Sequence, residues 1–338
     1  MKDILKPIPI QDELESEKRL RPVSFEEFPG QEEIIQNLKI FIQAAKKRGE
    51  ALDHILFCGP PGLGKTTLAT ILAQEMGVHL NKTSGPVLEK AGDLAGLLTK
   101  LNERDILFID EIHALNRNVE EYLYPAIEDF SMDLIVEQGI HAKSIKLSFK
   151  PFTLIGATTR IGLLTSPLRS RFGYTARLDF YRPEILQKII IRSAHILNIE
   201  IDAASAMEIA QRARGTPRIA NRLLKRARDV ADVVGDGKIT RPIAQRALAM
   251  LGIDEQGLDE MDRNILSVII QKFSGGPVGI NTISVAIGEE SHTLEEVYEP
   301  FLIQQGYIKR TPRGREVTES AYTALNLPKP SFQQQNLF

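Results

Sequence analysis

The sequence predicts an α/β domain built on a parallel sheet flanked by helices, then a small helical domain, then a C-terminal winged helix. Three observations carry this. A short apolar run, His54 to Cys58, passes into a helical pattern, Thr67 to Met76, through the loop Gly59-Pro60-Pro61-Gly62-Leu63-Gly64-Lys65-Thr66. A second apolar run, Ile106-Leu107-Phe108-Ile109, ends in Asp110-Glu111. From Arg182-Pro183 onward the pattern is helical, until a basic extended ribbon at Tyr307 to Thr318.

Composition sets the frame. A chain of 338 residues suggests two or three domains, and 43% hydrophobic with 25% charged residues is the balance of a globular protein. No apolar run approaches the roughly 20 residues of a membrane span, and the N-terminus lacks a charged-then-apolar export pattern, so a cytoplasmic location is expected. The one cysteine, Cys58, excludes an intrachain disulfide and a cysteine metal cluster, and its place in a strand suits a small core residue. A net charge of −2 is neutral on nucleic acid, so any such contact has to come from a local patch.

Residues 1–30 are polar and punctuated by proline, but Leu20, Phe25 and Phe28 argue for an arm that docks on the body. Gln31 to Arg48 is a helical stripe (Ile34, Ile35, Leu38, Ile42, Ala45), with Lys46-Lys47-Arg48 suiting its C-terminus and Gly49 the stop. The loop that follows the first strand is a complete G-x-x-x-x-G-K-T. Gly59, Gly62 and Gly64 let the backbone close around phosphate oxygens, and Lys65 reaches the β- and γ-phosphates of a nucleoside triphosphate. Thr66 holds Mg²⁺, and Thr67 continues the helix whose N-terminal dipole faces the anion.

Two carboxylates at the end of a buried strand suit ligand chemistry in an open α/β sheet. Asp110 is placed to hold Mg²⁺ and Glu111 to polarise the attacking water. His113 is either a nucleotide sensor or a structural histidine. Residues 119–130 are helical, and Ser131 to Phe149 alternates as a β-hairpin whose tip, Leu134-Ile135-Val136 with Ile140, either packs on the body or faces a partner. A third strand, Phe152 to Ala157, ends in Thr158-Thr159-Arg160 and brings a hydroxyl beside Asp110. Arg169 and Arg171, two residues apart, fall on different helical faces and read as surface arginines.

Glu184 to Leu197, Ala203 to Arg214, Arg218 to Val234 and Arg241 to Leu251 are four helices with no strands. Gly215-Thr216-Pro217-Arg218 marks a helix start with Thr216 as its cap. A cation at Arg218 opposes the dipole there unless an ATP phosphate lies opposite it. Gly252 to Gly257 reads as a linker. Helices at Leu258 to Lys272, near Asn281 to Ile287, and at Thr293 to Gln305, then the ribbon, make the winged-helix variant of helix-turn-helix. Lys309, Arg310, Arg313 and Arg315 cluster with no acid among them, which suits the phosphates of double-stranded DNA.

On Gly59–Thr67, Leu107–His113, Gly156–Arg160, Pro167–Gly173, Gly215–Arg218 and Thr311-Pro312-Arg313-Gly314-Arg315 the chain resembles the AAA+ ATPases, and among them the bacterial motors that drive branch migration of Holliday junctions. The resemblance implies ATP hydrolysis by a homo-hexameric ring in recombination, DNA repair and the SOS response, with the junction-binding protein RuvA and the resolvase RuvC as partners. It makes Thr159 (or Thr158) the sensor on the third strand, Arg218 the sensor of the helical lid, and Arg171 the arginine finger in a neighbouring subunit's site. It adds Leu20, Arg21, Tyr181 and Glu128-Asp129-Phe130 to the nucleotide pocket, the hairpin as the grip on RuvA, and Arg310 and Arg315 as DNA contacts. It departs at Ser291, where the family often has an arginine: either one phosphate contact is missing there or His292 replaces it. The expected boundaries are an ATPase domain at 1–182, a lid at 183–253 and a winged helix at 256–338. Clamp-loader-type or chaperone-type ATPases share residues 50–220 but do not need the winged helix, and an ATP-switched transcription regulator would need base-reading residues that Ser291 to Gln305 lack.

Overall fold

The structure, a computed structural model, describes residues 19–135 and 144–328. The apolar hairpin tip at Val136 and Ile140, and the arm before residue 19, lie outside the described residues. The chain forms two compact units, with the boundary between Tyr181 and Arg182.

The first unit is a five-stranded parallel sheet with helices on its faces. The order is β2 (Leu80–Ser84), β3 (Ile106–Asp110), β6 (Thr153–Thr158), β1 (Ile55–Cys58), β7 (Tyr174–Arg177). The three central strands are buried along nearly their whole length, as expected of strands covered on both faces. They were legible as apolar runs. The edge strands β2 and β7 were not: β2 is Leu-Asn-Lys-Thr-Ser with no fully buried residue, and β7 buries only Ala176. Their pairing is decided by the neighbouring strand's free N–H and C=O groups, which the local sequence does not encode.

Helix α1 (Glu32–Arg48) buries Ile34, Leu38, Ile42 and Ala45 and stops at Gly49, which takes the left-handed conformation and donates to the carbonyls of Ala45 and Lys46. Helix α2 (Lys65–Met76) follows the glycine loop, α3 (Ala91–Leu98) follows β2, and α4 (Arg117–Glu128) follows β3, with its N-cap Asn116 accepting from the Asn118 N–H. The residues before α1 do dock: Leu20, Phe25 and Phe28 are buried. The hairpin strands β4 (Ser131–Ile135) and β5 (Ser144–Ser148) pair Met132 with Leu147 and Leu134 with Ile145. Its base is held by buried Met132 and by Phe130 edge-on to Phe152, while Ile145 further out is half exposed. Helix α5 (Ser166–Ser170) is capped by Thr165 and leads into Arg171.

The second unit begins with α6 (Pro183–Ile196), α7 (Ala203–Gln211), α8 (Pro217–Val234) and α9 (Arg241–Met250). Strands were not expected here, yet β8 (Glu200–Ile201) and β9 (Lys238–Ile239) pair in parallel, closing the loops before α7 and α9 against each other. The Gly252–Gly257 stretch is not an open linker. The Asp254 carboxylate accepts from the backbone N–H groups of Gln256 and Leu258 and from Arg263, locking the connection as a turn.

The winged helix consists of α10 (Glu260–Phe273), α11 (Ile280–Ile287), α12 (Ser291–Thr293) continued through a π-helical turn at Leu294–Tyr298 into α13 (Glu299–Gln304), and the hairpin β10 (Ile308–Thr311) and β11 (Gly314–Val317). The π turn accommodates Pro300, whose missing N–H and ring disrupt the regular ladder. Beyond the expected elements, Val278 bridges to Arg315 beside the hairpin and α14 (Glu319–Ala324) closes the core on Ala321.

Candidate functional site

The loop between β1 and α2 fits an anion on three counts. Gly59, Gly62 and Gly64 all have positive φ (138°, 83° and 103°), and a Cβ on Gly59 would meet the Leu178 carbonyl oxygen at 2.5 Å. The first turn of α2 has no side-chain cap and no acidic residue, so its N–H groups and dipole are left for a ligand. The Lys65 ammonium is buried and folded back on the carbonyls of Gly59 (2.7 Å) and Pro60 (2.9 Å). Burial pushes its pKa below the usual lysine value, opposed only in part by the carboxylates of Glu111 and Asp110. Thr66 is half-buried in the first turn and Thr67 is buried behind it.

Strand β6 lies between β1 and β3, so the glycine loop, Thr158-Thr159 and Asp110-Glu111 emerge at the same sheet edge. Asp110 Oδ1 accepts from the Glu111 N–H at 3.0 Å. Glu111 is a non-glycine residue in the left-handed region (φ 45°, ψ 47°), the kind of local strain that persists only where the surroundings enforce it. The Thr159 hydroxyl donates to Glu111 Oε2 at 3.2 Å, while His113 Nδ1 lies 3.3 Å from the same oxygen. The two threonines separate by environment. Thr158 is fully buried, pairs with His113 Nδ1 at 2.9 Å and accepts from the Arg160 N–H; Thr159 faces Glu111.

Beside the loop, Tyr181 is buried and donates to the Leu63 carbonyl at 3.1 Å, and the Phe28 ring stands 3.0 Å from where a Gly64 Cβ would lie. Leu20 is buried and Arg21 exposed. The sequence marks Phe28 only as an arm residue that docks on the body; its place beside the glycine loop emerges from the fold.

Arg171 is not a free surface arginine. Its guanidinium donates to Glu128 Oε2 (3.0 Å) and to the Pro167 carbonyl (2.7 Å), and its Cζ lies 4.4 Å from the centre of the Tyr124 ring. The buried Glu120 carboxylate accepts from the hydroxyls of both Tyr124 and Thr165, tying α4 to the cap of α5. Tyr124 was missed; Glu120, Tyr124 and Glu128 recur every four residues, one polar helix face beside the apolar Val119, Leu123 and Ile127. Asp129 and Phe130 follow Glu128 at the turn into β4, with Phe130 at positive φ.

In the second unit, Thr216 sits at the N-cap position of α8, but its hydroxyl reaches back to the Ala213 carbonyl instead of capping, leaving Pro217 and Arg218 to open the helix. On the wing, Lys309, Arg310 and Arg313 are exposed, but Arg315 is not. It is buried, bonded through Nε and NH2 to Glu299 at 2.9 Å each and through NH2 to Glu295 at 2.9 Å. Where the resemblance implies a DNA contact at Arg315, the structure places its guanidinium in an internal ion pair, because two acids from the preceding helical segment fold under the wing. Glu295 also lies 3.7 Å from Arg310, so the cluster is not free of acid. Ser291 donates to Asn281 and His292 lies 3.4 Å from Glu296.

Comparison with known proteins accounts for all three parts. Residues 20–178 match the Holliday junction DNA helicase RuvB P-loop domain, 181–254 the RuvB AAA lid domain, and 255–326 the RuvB C-terminal winged helix domain. The Holliday junction branch migration complex subunit RuvB of Flavobacterium psychrophilum is 60% identical over 95% of this chain and 95% of its own. That of Chlorobaculum tepidum is 58% identical over 98% of this chain and 96% of its own. The Thermotoga maritima RuvB Holliday junction branch migration motor superposes with a TM-score of 0.85 at 53% identity, covering 92% of this chain and 100% of that one. With glycine loop, paired strand-end carboxylates, lid and winged helix in one chain and in this order, the protein belongs to the RuvB family of AAA+ P-loop ATPases.

Proposed function

We propose that this chain is the ATP-hydrolysing motor subunit of a Holliday-junction branch-migration complex, moving double-stranded DNA through a ring in recombination and repair. The observation that carries this is the gathering of Lys65, Asp110, Glu111 and Thr159 at one sheet edge in a chain that also ends in a winged helix. The uncapped first turn of α2 and the loop N–H groups take the triphosphate, and Lys65 exchanges the Gly59 and Pro60 carbonyls for phosphate oxygens. Glu111 polarises the attacking water, and Thr159 holds Glu111 or that water in line.

The described residues hold no group of three or more His, Cys, Asp or Glu able to cage a metal. The Thr66 hydroxyl and Asp110 instead fit a Mg²⁺ held mainly by phosphate oxygens and water. Bound there, the ion neutralises charge on the phosphates. Arg171 acts in trans on a neighbouring subunit in a homo-hexamer, where such fingers contribute about 10³–10⁵ in rate in other NTPases. Leu20, Arg21, Tyr181 and Glu128–Phe130 line nucleotide, and Arg218 is the lid's phosphate contact. Lys309, Arg310 and Arg313 track the DNA backbone, each giving affinity without reading sequence. The hairpin at 131–149, with Ile145 exposed, grips RuvA, and RuvC joins in the resolving complex. The relatives are named as subunits of a branch migration complex, which supports the partner reading.

The test is unwinding of a synthetic four-way junction with RuvA, ATP and Mg²⁺. Activity requiring all three is expected; ATP turnover indifferent to DNA, with no junction movement, would refute the motor.

A further inference from the structure

A motor needs a mechanical path from the part that senses nucleotide to the part that holds DNA. Within the second unit, the residues just before Arg218 supply one. Between α7 and α8 the chain makes two successive left-handed turns, at Arg214 (φ 52°) and Gly215 (φ 67°). For glycine this is easy; for arginine it is strained, and it is held by what the side chain reaches. The Arg214 guanidinium lies 2.6 Å from Asp259 and closer still to Asp262, and its Cζ stands 4.8 Å from the centre of the Phe301 ring. Only 10% of its side chain is exposed.

Asp259 and Asp262 are no ordinary surface acids. They form a reciprocal capping box at the start of α10, each accepting from the other's backbone N–H. Arg214 thus binds the first helix of the winged domain, α10, at its N-terminus and α13 at Phe301. Two further contacts run parallel to it. Arg212 Nε donates to the Asp254 carbonyl at 3.0 Å, and Gly257 packs against the Arg212 backbone, where a Cβ would come within 3.5 Å of Cα. Arg222, one helical turn after Arg218, feels the charges of both Arg214 and Asp259.

We propose that Arg214 is a transmission strut: it joins the nucleotide-sensing turn of the lid rigidly to the winged helix, so that movement of Arg218 is delivered to the DNA-binding wing. This rests on the motor reading above. With its guanidinium engaged by Asp259, Asp262 and Phe301, Arg214 acts as a positioning residue, and its effect lies in the ratio of DNA movement to ATP consumed. Three residues separate it from Arg218, and Gly215 and Pro217 among them restrict the path to one bend and one helix start, so that displacement is not absorbed by slack chain.

The test compares wild type, Arg214→Met and Arg214→Lys as assembled rings, measuring ATPase without DNA, ATPase with duplex DNA, and base pairs migrated per ATP on a four-way junction with RuvA. The expected result is unchanged basal ATPase, with migration per ATP falling about five- to tenfold in Arg214→Met, the lower range of coupling between linked sites. Arg214→Lys, keeping the charge but not the fork or the flat face on Phe301, recovers part of that loss. Should Arg214→Met fail to fold, Phe301→Leu and Asp259→Asn, which leave the arginine in place, carry the same comparison. Migration per ATP equal to wild type in a folded variant overturns the proposal, as does a fall of all three quantities by one common factor, which marks a merely structural role. Wild-type protein that ignores DNA altogether would instead refute the motor itself.

Discussion

Arg315 and Glu299 form a buried two-pronged ion pair, with Nε and NH2 of one guanidinium each 2.9 Å from a different oxygen of one carboxylate. Across the hairpin from Arg315 stands Arg310, exposed and only 3.7 Å from Glu295. Two arginines facing each other on one small ribbon therefore have different work.

The two separate by mutation. Arg310→Ala is expected to weaken DNA binding on every sequence and to reduce the salt slope by about one. Arg315→Met leaves Glu299 buried and unpaired, which costs roughly 3–5 kcal/mol of folding stability. Urea unfolding beside binding titrations at several salt concentrations distinguishes them. Full stability in Arg315→Met with loss only of the salt slope would return Arg315 to the DNA.

For the finger, Arg171→Ala is expected to bind ATP but lose hydrolysis as an assembled ring, and mixing it with Glu111→Gln subunits should restore some turnover. Tyr124→Phe keeps the aromatic face under Arg171 and retains most activity; Tyr124→Leu removes it and lowers kcat more than KM. Near-normal turnover by Arg171→Ala alone contradicts the assignment.

Thr159→Val removes the hydroxyl that holds Glu111 and is expected to lower kcat by about 10²-fold, the low end of what a positioned proton-transfer group contributes, with nucleotide affinity kept. Thr158→Val instead strips the buried partner of His113 and the Arg160 N–H, so its loss shows in thermal unfolding. Equal kcat effects with equal stabilities would undo this division.

The Asp262 carboxyl gives a pH signature. Burial pushes its pKa up to about 7 against the pull of Arg214, and Asp259 beside it pushes the same way. One cation serves two acids, and Asp262 keeps a proton that the unfolded chain has lost. With the folded value above the unfolded one, the folded state binds more protons between about pH 4 and 7, so this group's stabilisation is complete below that window and fades as pH rises through it. Asp262→Asn is expected to lose less stability than wild type between pH 5 and pH 8. Parallel profiles in denaturant titrations would show that the group does not titrate there.

What the amino-acid order determined alone was everything expressed by neighbours in the chain. The glycine loop, the apolar strands ending in Asp110-Glu111 and in Thr158-Thr159, the lid helices and the basic ribbon each announce themselves within a dozen residues, because local backbone preference and hydrophobic period act at that range. Tertiary structure decided what depends on distant partners. Strands β2 and β7 exist because a sheet edge offers them hydrogen bonds. Arg315 turns inward because Glu295 and Glu299, from another element, neutralise it at a cost in desolvation that no local pattern records. Arg214 reads in sequence as one more lid arginine; only folding brings it against Asp259, Asp262 and Phe301, since charge pairing and ring stacking act through space.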